Sequence, residues 1–197
     1  MKKLYFFVFA GLMVLLLWLG NANALVIDFE NVPNANPNTW DNPIPNGYEG
    51  LNWDQFDVLH EDYYLRTGYD YGVTSGQWVA YNVWDYTATV SGNLFDFTGA
   101  YFTSAWDYNN ILTIEGYNNG TLLYSAQLTL NTYTPVWFQA DWLGVDSLKF
   151  FTSGSQFVMD DLTINESAPI PEPSTIFLVG SGLIGLAGYG RKRLINK

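Results

Sequence analysis

Carboxylates and aromatic rings are the only abundant chemistry in this chain of 197 residues. Cysteine is absent and His60 is the only histidine, so thiol, triad and zinc chemistries lack their parts, and no Gly-x-Ser-x-Gly elbow or His-Glu-x-x-His motif occurs. His60 itself, beside Glu61 and Asp62, reads as a solvated loop residue. Near the end of the polar body, Asp160 and Asp161 interrupt an apolar stretch. Phe157 and Met159 have one strand parity and Leu162 and Ile164 the other, so all four reach one core only if the strand bulges at the two aspartates. Adjacent carboxylates at such a bend are very costly if buried unpaired. A hard cation is one remedy, and a water-facing turn cap is the other.

The second set is aromatic. Tyr63, Tyr64, Tyr69 and Tyr71 crowd a segment too broken by Gly68 and Gly72 to bury them all. Trp40 sits in a Pro/Asn-rich loop nearby in sequence. Trp84-Asp85-Tyr86 and Trp106-Asp107-Tyr108 repeat one aromatic-acid-aromatic pattern close to expected strand ends. Flat rings pack on the apolar C–H faces of sugars while Asp and Asn bind hydroxyls, so Trp40, Tyr63, Tyr64, Tyr69, Tyr71, Trp84 and Trp106 form a candidate carbohydrate surface. Filling of a sheet core is the competing use of the same residue types. With 18 acids in the body, a two-carboxylate glycosidase is a third reading, without any motif behind it.

These side chains need strands to hold them. The body shows a period of two, with turn residues recurring and no amphipathic helix. Strands are expected over 26–29, 50–56, 77–83, 87–90, 95–103, 111–117, 122–130, 136–140, 146–151 and 156–164. Asn118-Asn119-Gly120 supplies a hairpin turn, because Asn and Gly tolerate positive φ. Such a run of short strands implies an all-β fold, a single antiparallel β-sandwich, with a jelly roll as first choice and an immunoglobulin-like sandwich as second.

Both ends of the chain differ from this body. Lys2 and Lys3 precede an apolar run from Leu4 to Leu19, and Ala22-Asn23-Ala24 offers the small residues a signal peptidase accepts, which makes 1–24 a signal peptide. At the other end Pro171-Glu172-Pro173 is followed by an apolar segment over 175–189 and then by Arg191, Lys192 and Arg193. Fifteen residues make a helix about 22 Å long, short of the roughly 30 Å hydrocarbon core, and its glycines weaken it further. Basic residues outside both apolar segments put both ends in the cytoplasm and the body beyond the membrane. The body, 25–167, keeps only Arg66 and Lys149 against 18 carboxylates, a formal charge of −16. That surface repels nucleic acid and anionic lipid, so neither is a partner.

The ordered tail of Pro-Glu-Pro, short apolar helix and basic end (168–197) resembles the PEP-CTERM sorting signal of exosortase substrates. That resemblance implies export, a transient inner-membrane anchor, cutting at the Pro-Glu-Pro motif and delivery to the cell surface or extracellular matrix, with signal peptidase and exosortase as processing partners. More weakly, Ile27-Asp28-Phe29-Glu30, Tyr48-Glu49-Gly50-Leu51-Asn52-Trp53, Ile114-Glu115-Gly116-Tyr117 and the stretch from Phe157 to Ile164 look like the sandwich domains found ahead of such tails. Jelly-roll carbohydrate-binding modules often hold a structural Ca²⁺ between their first and last strands, which here implies Asp28 and Glu30 with Asp160 and Asp161. Ca²⁺ takes about six to eight oxygens, so backbone or water would complete the shell. The expected function is noncatalytic binding or organisation of extracellular polysaccharide, with an adhesive matrix protein acting through protein contacts as the alternative.

Overall fold

The computed structural model describes residues 24–165. The expected signal peptide and sorting tail lie outside the described residues, apart from Ala24 at the expected cleavage point. Among the described residues nine antiparallel strands run β1 (Leu25–Ile27), β2 (Asn52–Asp54), β3 (Phe56–His60), β4 (Trp78–Asn82), β5 (Ala88–Ser104), β6 (Asn110–Asn118), β7 (Thr121–Leu130), β8 (Val136–Thr152) and β9 (Phe157–Ile164). The β6–β7 hairpin turns at Asn119 and Gly120, with φ of 48° and 75°. Two consecutive positive φ values are what the type I′ turn requires.

Pairing follows the order β3-β4-β9-β5-β8-β6-β7. Because β5 and β8 are each 17 residues long, they serve two layers. The beginning of β5 pairs with β2 and the end of β8, which pairs onward to β6 and β7. The end of β5 pairs with β9 and the beginning of β8, and β9 pairs onward to β4 and β3. β1 lies along the later part of β9, opposite β5. Register shifts between Ser91 and Gly99 let β5 bend from one layer to the other. Two pairs of expected strands (87–90 with 95–103, and 136–140 with 146–151) are therefore single bent strands. The expected strand over 50–56 is two strands, because Gln55, at φ 59°, sends β2 and β3 to different layers.

The layers meet through interlocked rings. Phe150 of the first layer lies 6.0 Å from Phe102, 5.7 Å from Phe157 and 5.8 Å from Phe56 of the second. Tilted and edge-on pairs at these separations add to the area term of burial. Phe157, Met159, Leu162 and Ile164 all enter this core. They do so because Asp161 takes a φ of 50° and β9 gains one residue on β5 between Gly99 and Tyr101, which is the bulge that parity requires.

The second layer is buried on its outer face too. Leu59, Val79, Tyr81 and Val158 point away from the main core and pack with Tyr69 and Ala105 in a smaller one. That is why β3 and β4 are buried almost continuously instead of alternating. The cover is the segment between β3 and β4, which contains the one-turn helix α1 (Gly68–Tyr71).

Candidate functional site

An aromatic cleft of about 270 Å³ opens beside this outer core. Of the seven aromatic residues singled out in the sequence, Trp40, Tyr64, Tyr69, Trp84 and Trp106 line it; Leu59, Tyr81, Val83 and Gln156 complete it. Tyr63 stands behind the wall, its ring 4.7 Å from that of Tyr64. Tyr71 turns away to pack against Tyr133 at 5.3 Å.

Four separate stretches bring the rings together. The loop carrying Trp40 is folded around buried Asn42, whose amide donates to the carbonyls of Thr39 at 2.8 Å and Asn36 at 3.2 Å, while its oxygen accepts from the Asn36 N–H at 2.8 Å. The Tyr81 hydroxyl then donates to the Trp40 carbonyl at 2.6 Å and ties the loop to β4. In the second stretch, the Thr67 hydroxyl caps α1, accepting from the Tyr69 N–H at 3.3 Å and donating to the Tyr64 carbonyl at 2.6 Å. The Gly68 N–H donates to the Ala105 carbonyl at 2.9 Å, an approach so close that a Cβ at Gly68 would stand 1.8 Å from the Ser104 carbonyl oxygen. Only glycine permits that contact.

Trp84 follows β4 in a turn where it and Asp85 take φ of 50° and 60°. A bulky residue at positive φ is strained and is retained only where its surroundings over-determine it. Even so, Trp84 is 62% exposed. Trp106 follows β5, and its indole N–H donates to Gln156 Oε1 at 2.9 Å. Trp40, Tyr64 and Trp106 are also part-exposed, whereas Tyr69 is buried. The rings meet steeply: Trp40 on Trp84 at 75°, Tyr64 on Trp106 at 68° and Tyr69 on Tyr81 at 89°. The surface is a box with crossed walls rather than a flat platform.

Carboxylates surround the box. Asp57, on the outer face of β3, is buried under the Trp40 loop and accepts from the Asn42 N–H at 3.3 Å. Burial pushes its carboxyl up to about 6, against the Asn42 hydrogen bond. Burial also raises the phenols of Tyr69 and Tyr81; beyond neighbouring tyrosines, Asp85 adds to the first and Asp57 and Asp41 to the second. Asp85 is raised by burial and then by Asp107. Tyr81, Asp57 and Gln156 were not singled out by sequence reasoning. The signal for the first two was present, since Phe56-Asp57-Val58-Leu59 and Val79-Ala80-Tyr81 are too continuous in apolar character for a strand with one wet face.

The acids implied as Ca²⁺ ligands are answered differently. Both groups converge on the segment just before β4. The Glu30 carboxylate accepts from the N–H groups of Gln77 at 2.6 Å and Trp78 at 2.8 Å. Asp160 accepts from the N–H groups of Thr74 at 2.7 Å and Ser75 at 3.0 Å, with the Thr74 hydroxyl 2.8 Å away. Asp161 accepts from the Ser75 hydroxyl at 2.6 Å. Burial pushes Asp160 up to about 6, with the Ser75 and Thr74 donors pulling the other way. Asp28 accepts only from the nearby Glu30 N–H at 3.2 Å. Among the described residues no group of three or more Asp, Glu, His or Cys side chains is gathered to hold a metal ion. N–H and O–H donors engage one oxygen of Glu30 and both oxygens of Asp160 and Asp161, while Glu30 Oε2 and Asp28 Oδ2 accept no hydrogen bond among the described residues. His60 also differs from expectation: it ends β3 with its side chain 12% exposed, packed edge-on against Trp78 at 5.2 Å.

An all-β antiparallel body thus stands ahead of the proline-flanked tail. Residues 169–193 match the PEP-CTERM protein-sorting motif, and the chain carries that motif. Among solved structures, one described as TmCBM61 in complex with β-1,4-galactotriose is similar at 8% identity and a TM-score of 0.37, covering 68% of this chain and 100% of that one. No curated protein matches the chain.

Proposed function

We propose that the protein is an exported, noncatalytic surface or matrix protein that binds extracellular polysaccharide in the cleft between Trp40, Tyr64, Trp84 and Trp106. The sorting motif supports export, passage through an inner-membrane-anchored intermediate and exosortase processing. In this reading the signal peptide is 1–24, the body 25–167 and the tail 168–197. Two layers of five and six strand segments, with first and last described strands paired, favour a jelly roll over the smaller immunoglobulin sandwich.

The observation that carries the binding reading is Trp84. A large ring held 62% exposed on a strained backbone, packed at 5.4 Å against Trp40 of the same cleft, gives the fold little in return for the strain, and strain of this kind collects at functional sites. The lining supports binding without catalysis: it holds no carboxylate, histidine or cysteine, and its indole, amide and phenol groups are poor proton carriers near neutral pH. Affinity electrophoresis of the purified protein through gels containing the host's own polysaccharide tests this. Retardation is expected for the wild type and its loss for Trp84→Gly. Relief of strain offsets the lost ring contact, so the variant's stability is expected to change by less than about 1 kcal/mol. Equal mobility of wild type and variant in every polysaccharide gel would count against the reading.

One observation favours adhesion through protein contacts as a second reading. From Tyr124 to Leu130 the edge strand β7 has no charge and no proline, and it pairs with no second strand among the described residues. Such edges invite strand addition. Ca²⁺ at Asp28, Glu30, Asp160 and Asp161 has its own test. A Tm higher in Ca²⁺ than in chelator, with the difference lost in Asp161→Ala or Glu30→Ala, is the result expected of a bound ion, and coincident melting curves would count against it.

A further inference from the structure

Sugar-stacking sites need a broad flat face, yet the rings of this cleft cross at 68° to 89°, except Tyr64 and Tyr69, which incline at 42°. Crossed aromatic walls suit a compact cation, which is attracted by the electron-rich face of each ring. Each of the three cleft tryptophans is followed directly by an aspartate, as Trp40-Asp41, Trp84-Asp85 and Trp106-Asp107. The Asp107 carboxylate accepts from the Ser155 N–H at 3.2 Å, next to Gln156 of the lining, and, after burial and neighbouring tyrosines, Asp85 helps raise the Tyr69 phenol. Neither of the body's two cations answers this aspartate rim: Arg66 and Lys149 do not line the cleft, and Lys149 lies over the Tyr117 ring at 4.6 Å. At about 270 Å³ the space admits one or two sugar units rather than a long chain.

Resting on the reading of this cleft as a glycan site, we propose that the ligand it selects is a sugar carrying a free ammonium group, seated in the aromatic box with its charge facing the aspartate rim. A neutral sugar gains neither the ring attraction nor the rim charge. A uronic acid is repelled by the same rim.

Tryptophan-fluorescence titration of the full purified chain at about pH 6, where a sugar amine is protonated, separates the cases. The probes are a glucosamine hexamer, its fully N-acetylated counterpart, a neutral galactose oligomer and a galacturonate oligomer. The glucosamine hexamer is expected to bind at least about tenfold more tightly than its acetylated counterpart, and the galacturonate oligomer not at all. Asp85→Asn with Asp107→Asn should erase most of the preference, and Asp54→Asn, on β2 away from the cleft, should leave it. Tighter or equal binding of the acetylated or neutral oligomers would overturn the inference while leaving the glycan site standing. Binding of the glucosamine hexamer undiminished in Trp84→Gly would also overturn it, as attraction to the acidic body at large. Failure of all four probes to bind would overturn this inference, and the host-polysaccharide gels would then decide the glycan reading separately.

Discussion

Trp84 and Asp57 are each held in a state that folding alone does not favour. Asp57 stands buried below the Trp40 loop with its carboxyl raised from 3.8 to about 6. The protonated form is therefore the one the fold prefers, and the stability this group contributes is fully present below its unfolded value and lost as pH rises through about 6. A shift of this size corresponds to at most roughly 3 kcal/mol. Asp57→Asn keeps an acceptor for the Asn42 N–H without the charge. Its melting temperature is expected to overtake that of the wild type between pH 4 and pH 7.5, and parallel curves would show that the carboxylate is not desolvated. Of the side chains in the cleft, the exposed rings were legible in the sequence because tryptophan and tyrosine beside glycine and aspartate have few other uses. Gln156 was not, and Tyr81 and Asp57 were signalled only by the unbroken apolar runs around them, which announce a cover over the second layer without saying what provides it.

At the scale of elements, the bulge at Asp160-Asp161 and the hairpin at Asn119-Gly120 follow from parity and turn chemistry, both of which are local. The bending of β5 and β8 from one layer to the other does not, since each reads as two short strands interrupted by polar residues. Leu122 shows the same limit. It alternates in phase with Tyr124, Ala126, Leu128 and Leu130, yet a register shift at Gly116/Tyr117 leaves it exposed. The α1 segment is placed by a contact rather than by a pattern, and Gly68 makes that contact possible. Gly68→Ala sets a methyl against the Ser104 backbone, where no flexible side chain can yield. Its cost is expected to exceed the roughly 1–3 kcal/mol of ordinary overpacking, read as a fall in Tm and as loss of glycan retardation together. A variant with unchanged Tm would show that α1 is not pinned to β5.

At the scale of the whole molecule, a strongly acidic body ahead of a sorting tail gathers three of its tryptophans, each followed by an aspartate, in one cleft beside its second layer. Trp53 and Trp142 belong to the main core, and Trp40, Trp84 and Trp106 belong to the cleft. This division makes the account's central claim directly observable in the indole N–H resonances of a ¹⁵N-labelled sample titrated with glycan. The indole signals of Trp40, Trp84 and Trp106 are expected to move together and saturably, while those of Trp53 and Trp142 stay in place. Glycan-dependent shifts that bypass the first three, or saturation with no indole signal moving, would contradict the assignment of this cleft as the binding site.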